Sequence, residues 1–149
     1  MSAIFNTSFE ISLRALIILN TSGIGLSIDK ITAFDFIAIY GKDFGVSQDN
    51  LHGNNNYRFS EYTSKREIVV RAIKELVLKG YVAPHCDKNG FKYSITSRGK
   101  LYCEAFNDEY AEKYTDIIKK ANVLFSDYSE RNLISCINGY AIARFGGDK

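Results

Sequence analysis

The first forty residues of the chain repeat apolar positions with the period of a helix. Residues 9–20 carry apolar side chains on one face, and Glu10 and Arg14 lie one turn apart on another side. Residues 28–40 repeat the pattern after Ser27, a suitable N-cap, and a glycine ends it. We therefore predict two helices joined by a short, glycine-containing turn, as in the first half of a helix-turn-helix.

A third helix is predicted where a capping-box pattern precedes another helical repeat. Ser64 and Glu67 have the spacing in which each side chain bonds the backbone of the other residue. This pattern predicts that the helix begins at Ser64. Apolar residues then recur at helical spacing as far as Lys79, and the glycine that follows favours termination there.

The period changes from helical to alternating directly after this helix. Residues 81–83 form a short apolar segment, and Asn89 and Gly90 form the dipeptide that most strongly signals a hairpin turn. Alternating residues 91–95 then predict the returning strand. A helix followed by strand, turn and strand is the second half of a winged helix. The predicted fold class is therefore mainly α with a small β-hairpin, a winged helix-turn-helix with a C-terminal helical extension.

The whole chain of 149 residues is predicted to be a single winged-helix-like domain. Residues 1–100 form the winged-helix core, and a long polar loop, 42–63, is inserted before the third helix. Because a standard helix-turn-helix joins its helices by a few residues, this insertion weakens the case for docking into a DNA groove. Residues 101–145 form the extension, with one helix that continues from the hairpin to Leu124 and a final helix that begins at Ser129.

The distribution of charge along the chain says more about the kind of binding partner than the overall composition does. The 46% hydrophobic and 24% charged fractions are ordinary for a globular protein, but residues 58–100 carry ten basic and four acidic side chains. Such a surface suits a phosphate backbone or an acidic protein. The chain shows no basic leader and no apolar segment near the roughly 20 residues of a membrane span. Its three cysteines lack close spacing, so we expect a soluble, cytoplasmic protein.

The residue types most often used in catalysis and metal binding do not form a recognisable motif. His52, His85 and Cys86 lack the spacing of a metal-ligand set. Cys103 and Cys136 fall in helical segments, where core packing is the expected role. The sequence has no nucleophile motif and no glycine-rich phosphate loop. It therefore predicts no enzymatic activity, no metal and no cofactor.

Basic residues of the third helix and the hairpin are the candidate contacts to nucleic acid. A winged helix places its DNA contacts on these elements. Glu67 and Glu75 each precede a basic residue by four positions, so two intrahelical ion pairs are predicted to neutralise part of this face. Without an Asn or Gln in the helix to read adenine, weak backbone contact is favoured over sequence-specific recognition. The candidates are Arg66, Arg71, Lys74, Lys88 and Lys92.

Short motifs are spread along nearly the whole chain: Phe5–Glu10, Leu13–Leu16, Leu26–Ile31, Phe34-Asp35, Tyr57-Arg58, Lys65–Glu67, Leu78–Val82 and Asn89–Tyr93. In this order they resemble a family, the middle components of ABC three-component systems. The resemblance implies a small winged-helix subunit encoded beside an SMC-like ATPase and an effector, often a nuclease, as in Lamassu-type defence against phage and plasmids. It implies a non-enzymatic bridging role, with those two subunits as partners.

Aromatic residues in the inserted loop are the candidate contacts to a protein partner. Tyr57, Phe59 and Tyr62 lie where no periodic core face exists, and Arg58 is among them. Aromatic residues and arginine are enriched at interface hot spots. We therefore predict that these four residues dock onto the ATPase or effector subunit; the alternative is that the loop folds back over its own core.

A second function class remains open at this point. A winged helix with a basic face also suits a transcription regulator that binds DNA as a homodimer. The two classes differ in their genomic surroundings, because an adaptor would be encoded beside the ATPase and effector that it joins.

Overall fold

In the computed structural model of the chain, the described residues are 7–42, 44–47 and 61–137, and for 61–63 the description covers the backbone alone. The fold is mainly helical with one two-stranded antiparallel hairpin, as the sequence predicts. Residues 130–137 are also helical. The elements are α1 (Ser8–Ser22), α2 (Ile28–Ile39), α3 (Glu61–Leu78), β1 (Val82–Asp87), β2 (Gly90–Ile95), α4 (Ser97–Glu104) and α5 (Glu109–Phe125).

The first two predicted helices are confirmed, and each begins at a capping side chain, of which Ser27 was predicted. Thr7 Oγ1 accepts a hydrogen bond from the Glu10 amide at 3.2 Å, and Ser27 Oγ accepts one from the Lys30 amide at 3.1 Å. α1 ends at Gly23, whose φ of 70° is the left-handed conformation that a residue with a side chain rarely adopts.

The core forms where α1, α2 and α3 pack against one another and α5 packs across α1 and α2. α2 is the central helix, because residues 31–39 are buried on every side. Leu16 of α1, Ile73 of α3 and Ile118 of α5 each retain 1% or less of their exposure. Of the predicted final helix, residues 130–137 are described, and Leu133 adds a further buried side chain.

The hairpin confirms the prediction made from the Asn-Gly dipeptide. Its register pairs Val82 with Ile95 at one end and Asp87 with Gly90 at the turn, so β1 is longer than the predicted 81–83. Asp87 Oδ1 accepts from the Asn89 amide at 2.7 Å, and Gly90 takes a φ of 104°.

An antiparallel bridge attaches the hairpin to the connection between α1 and α2. The Leu26 amide donates to the Tyr93 carbonyl at 3.0 Å, and the Tyr93 amide donates to the Leu26 carbonyl at 2.9 Å. Leu26 is buried. The hairpin is therefore fixed to the helical core at its β2 edge as well as by its packing on α3.

Two predicted helix boundaries are wrong. Residues 61–63 already belong to α3, so Ser64 lies inside the helix and is not its N-cap. Residues 48–60 of the predicted inserted loop lie outside the described residues. The long helix predicted as far as Leu124 is interrupted. α4 ends at Glu104, and Asp108 caps a new helix by accepting from the Ala111 amide at 2.9 Å.

Some apolar residues that the helical repeat placed in the core lie at the surface instead. Leu101 is 73% exposed and Val123 is 80% exposed. Neither the named helices nor residues 130–137 provide a segment long and apolar enough to cross a membrane.

Candidate interaction surface

One buried carboxylate connects four helices. Asp35 of α2 accepts from Arg14 of α1 through Nε at 2.9 Å and Nη2 at 3.3 Å, and from Lys65 Nζ of α3 at 3.2 Å. Tyr114 Oη of α5 donates to the same carboxylate. All four residues are buried, with exposures of 6% or less. This buried polar cluster fixes the position of α3 relative to the rest of the core.

The basic residues of the cluster keep Asp35 ionised although it is buried. Burial alone would raise the pKa of the Asp35 carboxyl, but Arg14 and Lys65 outweigh that effect and hold the pKa well below its ordinary value of 3.8. Burial raises the pKa of Tyr114 well above 10, so its hydroxyl remains a donor. Tyr110, which accepts from Arg14 at 3.5 Å, has a pKa raised by burial to about 12. Asp35 is therefore ionised at neutral pH.

Sequence reasoning placed Arg14 with Glu10 away from the apolar face of the first helix, and this is wrong for Arg14. Its side chain is 1% exposed, and Glu10 lies 3.8 Å from it at the edge of the cluster. The available signal was a pair of opposite charges, Arg14 and Asp35, each set in the middle of an apolar run. Buried charges require such a partner.

A second ion pair fastens α3 to α2 at the surface. Arg66 donates to Asp29 through Nε at 2.6 Å and Nη2 at 3.3 Å, and this bond lowers the pKa of Asp29. Arg66 was a candidate contact to nucleic acid, but its guanidinium is held in this pair. Lys65 and Arg66 thus join the N-terminal half of α3 to α2, one through the core and one at the surface.

The other candidate contacts to nucleic acid lie on two adjoining elements. Arg71 and Lys74 are exposed on α3, Lys88 is exposed in the hairpin turn, and Lys92 is half-buried on β2. Within the described ranges, no carboxylate lies within 4 Å of these four cations. The predicted intrahelical pairs of Glu67 with Arg71 and of Glu75 with Lys79 are likewise not formed in this part of the chain.

The outward side of α3 carries a groove of about 330 Å³ against the start of α1. Its α3 residues recur at helical spacing, and we call them the α3 face: Ile68, Arg71, Ala72, Lys74, Glu75 and Leu78. Ser8 of α1 forms the opposite wall. Leu78 is 87% exposed although it lines the same groove as the half-buried Ile68 and the buried Ala72.

A second groove, of about 210 Å³, adjoins the first and shares Ser8 and Glu75 with it. A run of aromatic rings borders this groove. Tyr81 and Tyr102 stack with centroids 4.4 Å apart, and the Arg98 guanidinium lies 5.3 Å from the Tyr81 centroid. These contacts hold the base of the hairpin against α4, and no sequence pattern indicated them.

The family model of the ABC-three component (ABC-3C) system Middle Component 2 matches residues 4–146. The chain belongs to this family. The match spans α1 to α5 with the hairpin, so the cluster and the α3 face are parts of the middle component itself. Comparisons with curated proteins and with solved structures gave no match. As a middle component the chain is one part of a multi-subunit ABC-3C defence system and has protein partners.

The residues predicted to contact those partners fall mostly outside the described part of this middle component. Tyr57, Arg58 and Phe59 lie outside it, and Tyr62 is placed by its backbone in the first turn of α3. Their role stays a prediction.

The cysteines of this middle component occupy three different environments. Cys103 is buried, as predicted, and burial raises its pKa to about 11. Cys136 is half-buried and Cys86 is exposed. Over the described ranges, no group of three or more His, Cys, Asp or Glu residues is arranged to hold a metal ion.

Proposed function

We propose that this middle component is a non-enzymatic adaptor that holds an effector, such as a nuclease, to an SMC-like ATPase in a Lamassu-type complex. The observation that carries the proposal is the α3 face. It combines the exposed Leu78 with Arg71 and Lys74, which form no ion pair within the described residues, on a helix whose other sides are fixed to the rest of the fold. Such a surface gives a partner protein a rigid place to dock.

A winged-helix fold is part of this proposal. Three helices that pack on one another, followed directly by a hairpin, have the order of such a domain. The bridge between Leu26 and Tyr93 supports it further, because it attaches the hairpin to the connection between α1 and α2, beside the helices that precede it. The connection between α2 and α3 departs from the compact form of the motif, since about twenty residues separate Ile39 from Glu61.

The absence of enzymatic activity is proposed from the state of the buried charged groups. The carboxylate of Asp35 is occupied by Arg14, Lys65 and Tyr114 and is closed to solvent. A general acid or base must reach a substrate proton within hydrogen-bond distance, which this arrangement prevents. Its role is best explained as structural.

A second candidate function is a homodimeric winged-helix transcription regulator. The observation that favours it is that Arg71 and Lys74 form no ion pair in the described part of the chain. Against it, the guanidinium of Arg66 is already bonded to Asp29, and the exposed Leu78 lies on the surface that would meet DNA.

Co-purification of the three subunits tests the adaptor role. A tagged ATPase, encoded beside this chain, should retain the effector when the middle component is co-expressed and lose it when the middle component is omitted. Equal retention without the middle component would refute the bridging role. In the same assay, Arg58→Ala with Phe59→Ala should release one partner and leave the melting temperature of the chain unchanged, if the predicted loop contacts exist.

A further inference from the structure

We propose that the α3 face binds an acidic amphipathic helix of a partner protein. The apolar side of that helix would fill the groove beside Ile68, Ala72 and Leu78, and its carboxylates would lie next to Arg71 and Lys74. This inference rests on the proposed adaptor function and names the chemistry of one partner segment.

The shape of the surface, as well as its exposure, favours an apolar partner at the α3 face. A single exposed leucine is ordinary on a protein surface. Leu78, however, lines one groove together with the half-buried Ile68, ten residues earlier on the outward side of α3, while Ala72 is buried between them. From Ile68 to Leu78 this part of α3 is about 15 Å long, which is the length of roughly three helical turns. A helix packed along α3 would contact it with anchors one turn apart.

Positive charge exceeds negative charge along the same groove. Arg71 and Lys74 form no ion pair within the described residues, and Glu75 is the carboxylate among the described lining residues. The sequence segment that contains α3, 58–100, carries ten basic and four acidic residues. An acidic segment would be attracted to this region and oriented by it.

A protein segment fits this surface better than nucleic acid does. Leu78 is the most exposed large apolar residue among the side chains of α3 that the structure describes, and an aliphatic side chain gains little from a phosphate backbone. The described lining residues include no Asn or Gln that could read adenine, and Arg66 is bonded to Asp29. The apolar groove with cations at its rim therefore favours an acidic amphipathic partner.

The position of α3 makes this surface ready for binding. Lys65 and Arg66 tie the N-terminal half of the helix to α2, and Val69, Ile73 and Leu76 pack into the core. The face that carries Leu78 is therefore held in place before a partner arrives, so binding loses less conformational entropy.

Paired substitutions in the full chain test the two halves of the argument separately. Leu78→Ser should weaken binding to the ATPase or to the effector by about 10- to 100-fold, the effect of losing one buried leucine side chain. Val123→Ser is the matched control, because Val123 is 80% exposed on α5, away from the groove. The double substitution Arg71→Glu with Lys74→Glu should weaken binding to the same partner. The control is Lys119→Glu with Lys120→Glu, which changes the net charge equally and should leave that binding unchanged.

A photo-crosslinker in place of Leu78 identifies the bound segment in the assembled complex. The expected product joins this position to a peptide of the ATPase or effector that is acidic and has helical apolar spacing. Crosslinks to a second copy of this chain, to DNA, or to a peptide without these features would overturn the proposal. If the wild-type complex fails to assemble, the adaptor function is refuted; if it assembles equally well with all variants, only the α3 site is refuted.

Discussion

Replacing Asp35 with asparagine tests whether the buried cluster stabilises the fold through its charges. The change keeps the size of the side chain but removes the anion between Arg14 Nε at 2.9 Å and Lys65 Nζ at 3.2 Å. Arg14 and Lys65 then lose the carboxylate that they share in the core, and the amide nitrogen would face one of them. Removing one partner of a buried ion pair destabilises a protein by about 3–5 kcal/mol.

The effect is large enough to measure by thermal or denaturant unfolding. For a chain of about this size each kcal/mol lowers the melting temperature by roughly 2–4 °C, so Asp35→Asn should lower it by roughly 6–20 °C. Asp29→Asn is the matched control, because it makes the same change on the same helix at the exposed pair with Arg66. It should change the free energy of unfolding by about 1 kcal/mol.

A double substitution separates charge from packing. Adding Lys65→Met to Asp35→Asn removes one uncompensated cation and should restore part of the lost stability. If Asp35→Asn is no more destabilising than Asp29→Asn, or if Lys65→Met makes it worse, the cluster is not held by its charges.

The burial of Asp35, the burial of the cysteines and the exposure of the basic residues can each be tested by a further measurement. Folding lowers the pKa of Asp35 from about 3.8, so the stabilisation of the fold by its carboxylate is complete above that pH and is lost as the pH falls below it. The wild-type protein should therefore lose more free energy of unfolding between pH 5 and pH 3 than Asp35→Asn does. Equal losses would contradict this. The exposed Cys86 should react quickly with a thiol reagent at pH 8, whereas the buried Cys103, with a pKa near 11, should react only on unfolding; mass spectrometry after partial labelling distinguishes them. Random duplex DNA should bind weakly. A plot of log affinity against log salt concentration should fall with a slope no steeper than roughly −4, because the candidate phosphate contacts are Arg71, Lys74, Lys88 and Lys92. Nanomolar, sequence-selective binding at physiological salt would favour the regulator instead.

Local signals explain which elements the sequence predicts correctly. The Asn-Gly dipeptide specifies the turn from Asp87 to Gly90, and the caps at Ser27 and Ser129 specify helix starts, because each acts within a few residues. The errors at α3 and α4 have the same origin. Serine, lysine and glutamate at a capping-box spacing also fit inside a helix, and an apolar repeat that continued past Asp108 concealed its cap.

The candidate site depends on contacts that no short pattern contains. Asp35 meets Arg14 across 21 residues, Lys65 across 30 and Tyr114 across 79. An apolar run interrupted by Asp35 is a sequence signal of a buried charge, but the partners of that charge are set by how the helices pack. The basic residues of the α3 face were predicted, whereas the exposure of Leu78 in a groove required the three-dimensional arrangement.

Reconstitution from three purified subunits tests the bridging role most directly. The affinity between the ATPase and the effector should be measured by sedimentation, first without and then with a saturating amount of this middle component. Bridging predicts negligible binding of the pair alone and one species containing all three subunits when the middle component is present. Tight binding of the ATPase to the effector that the middle component leaves unchanged would contradict the adaptor role.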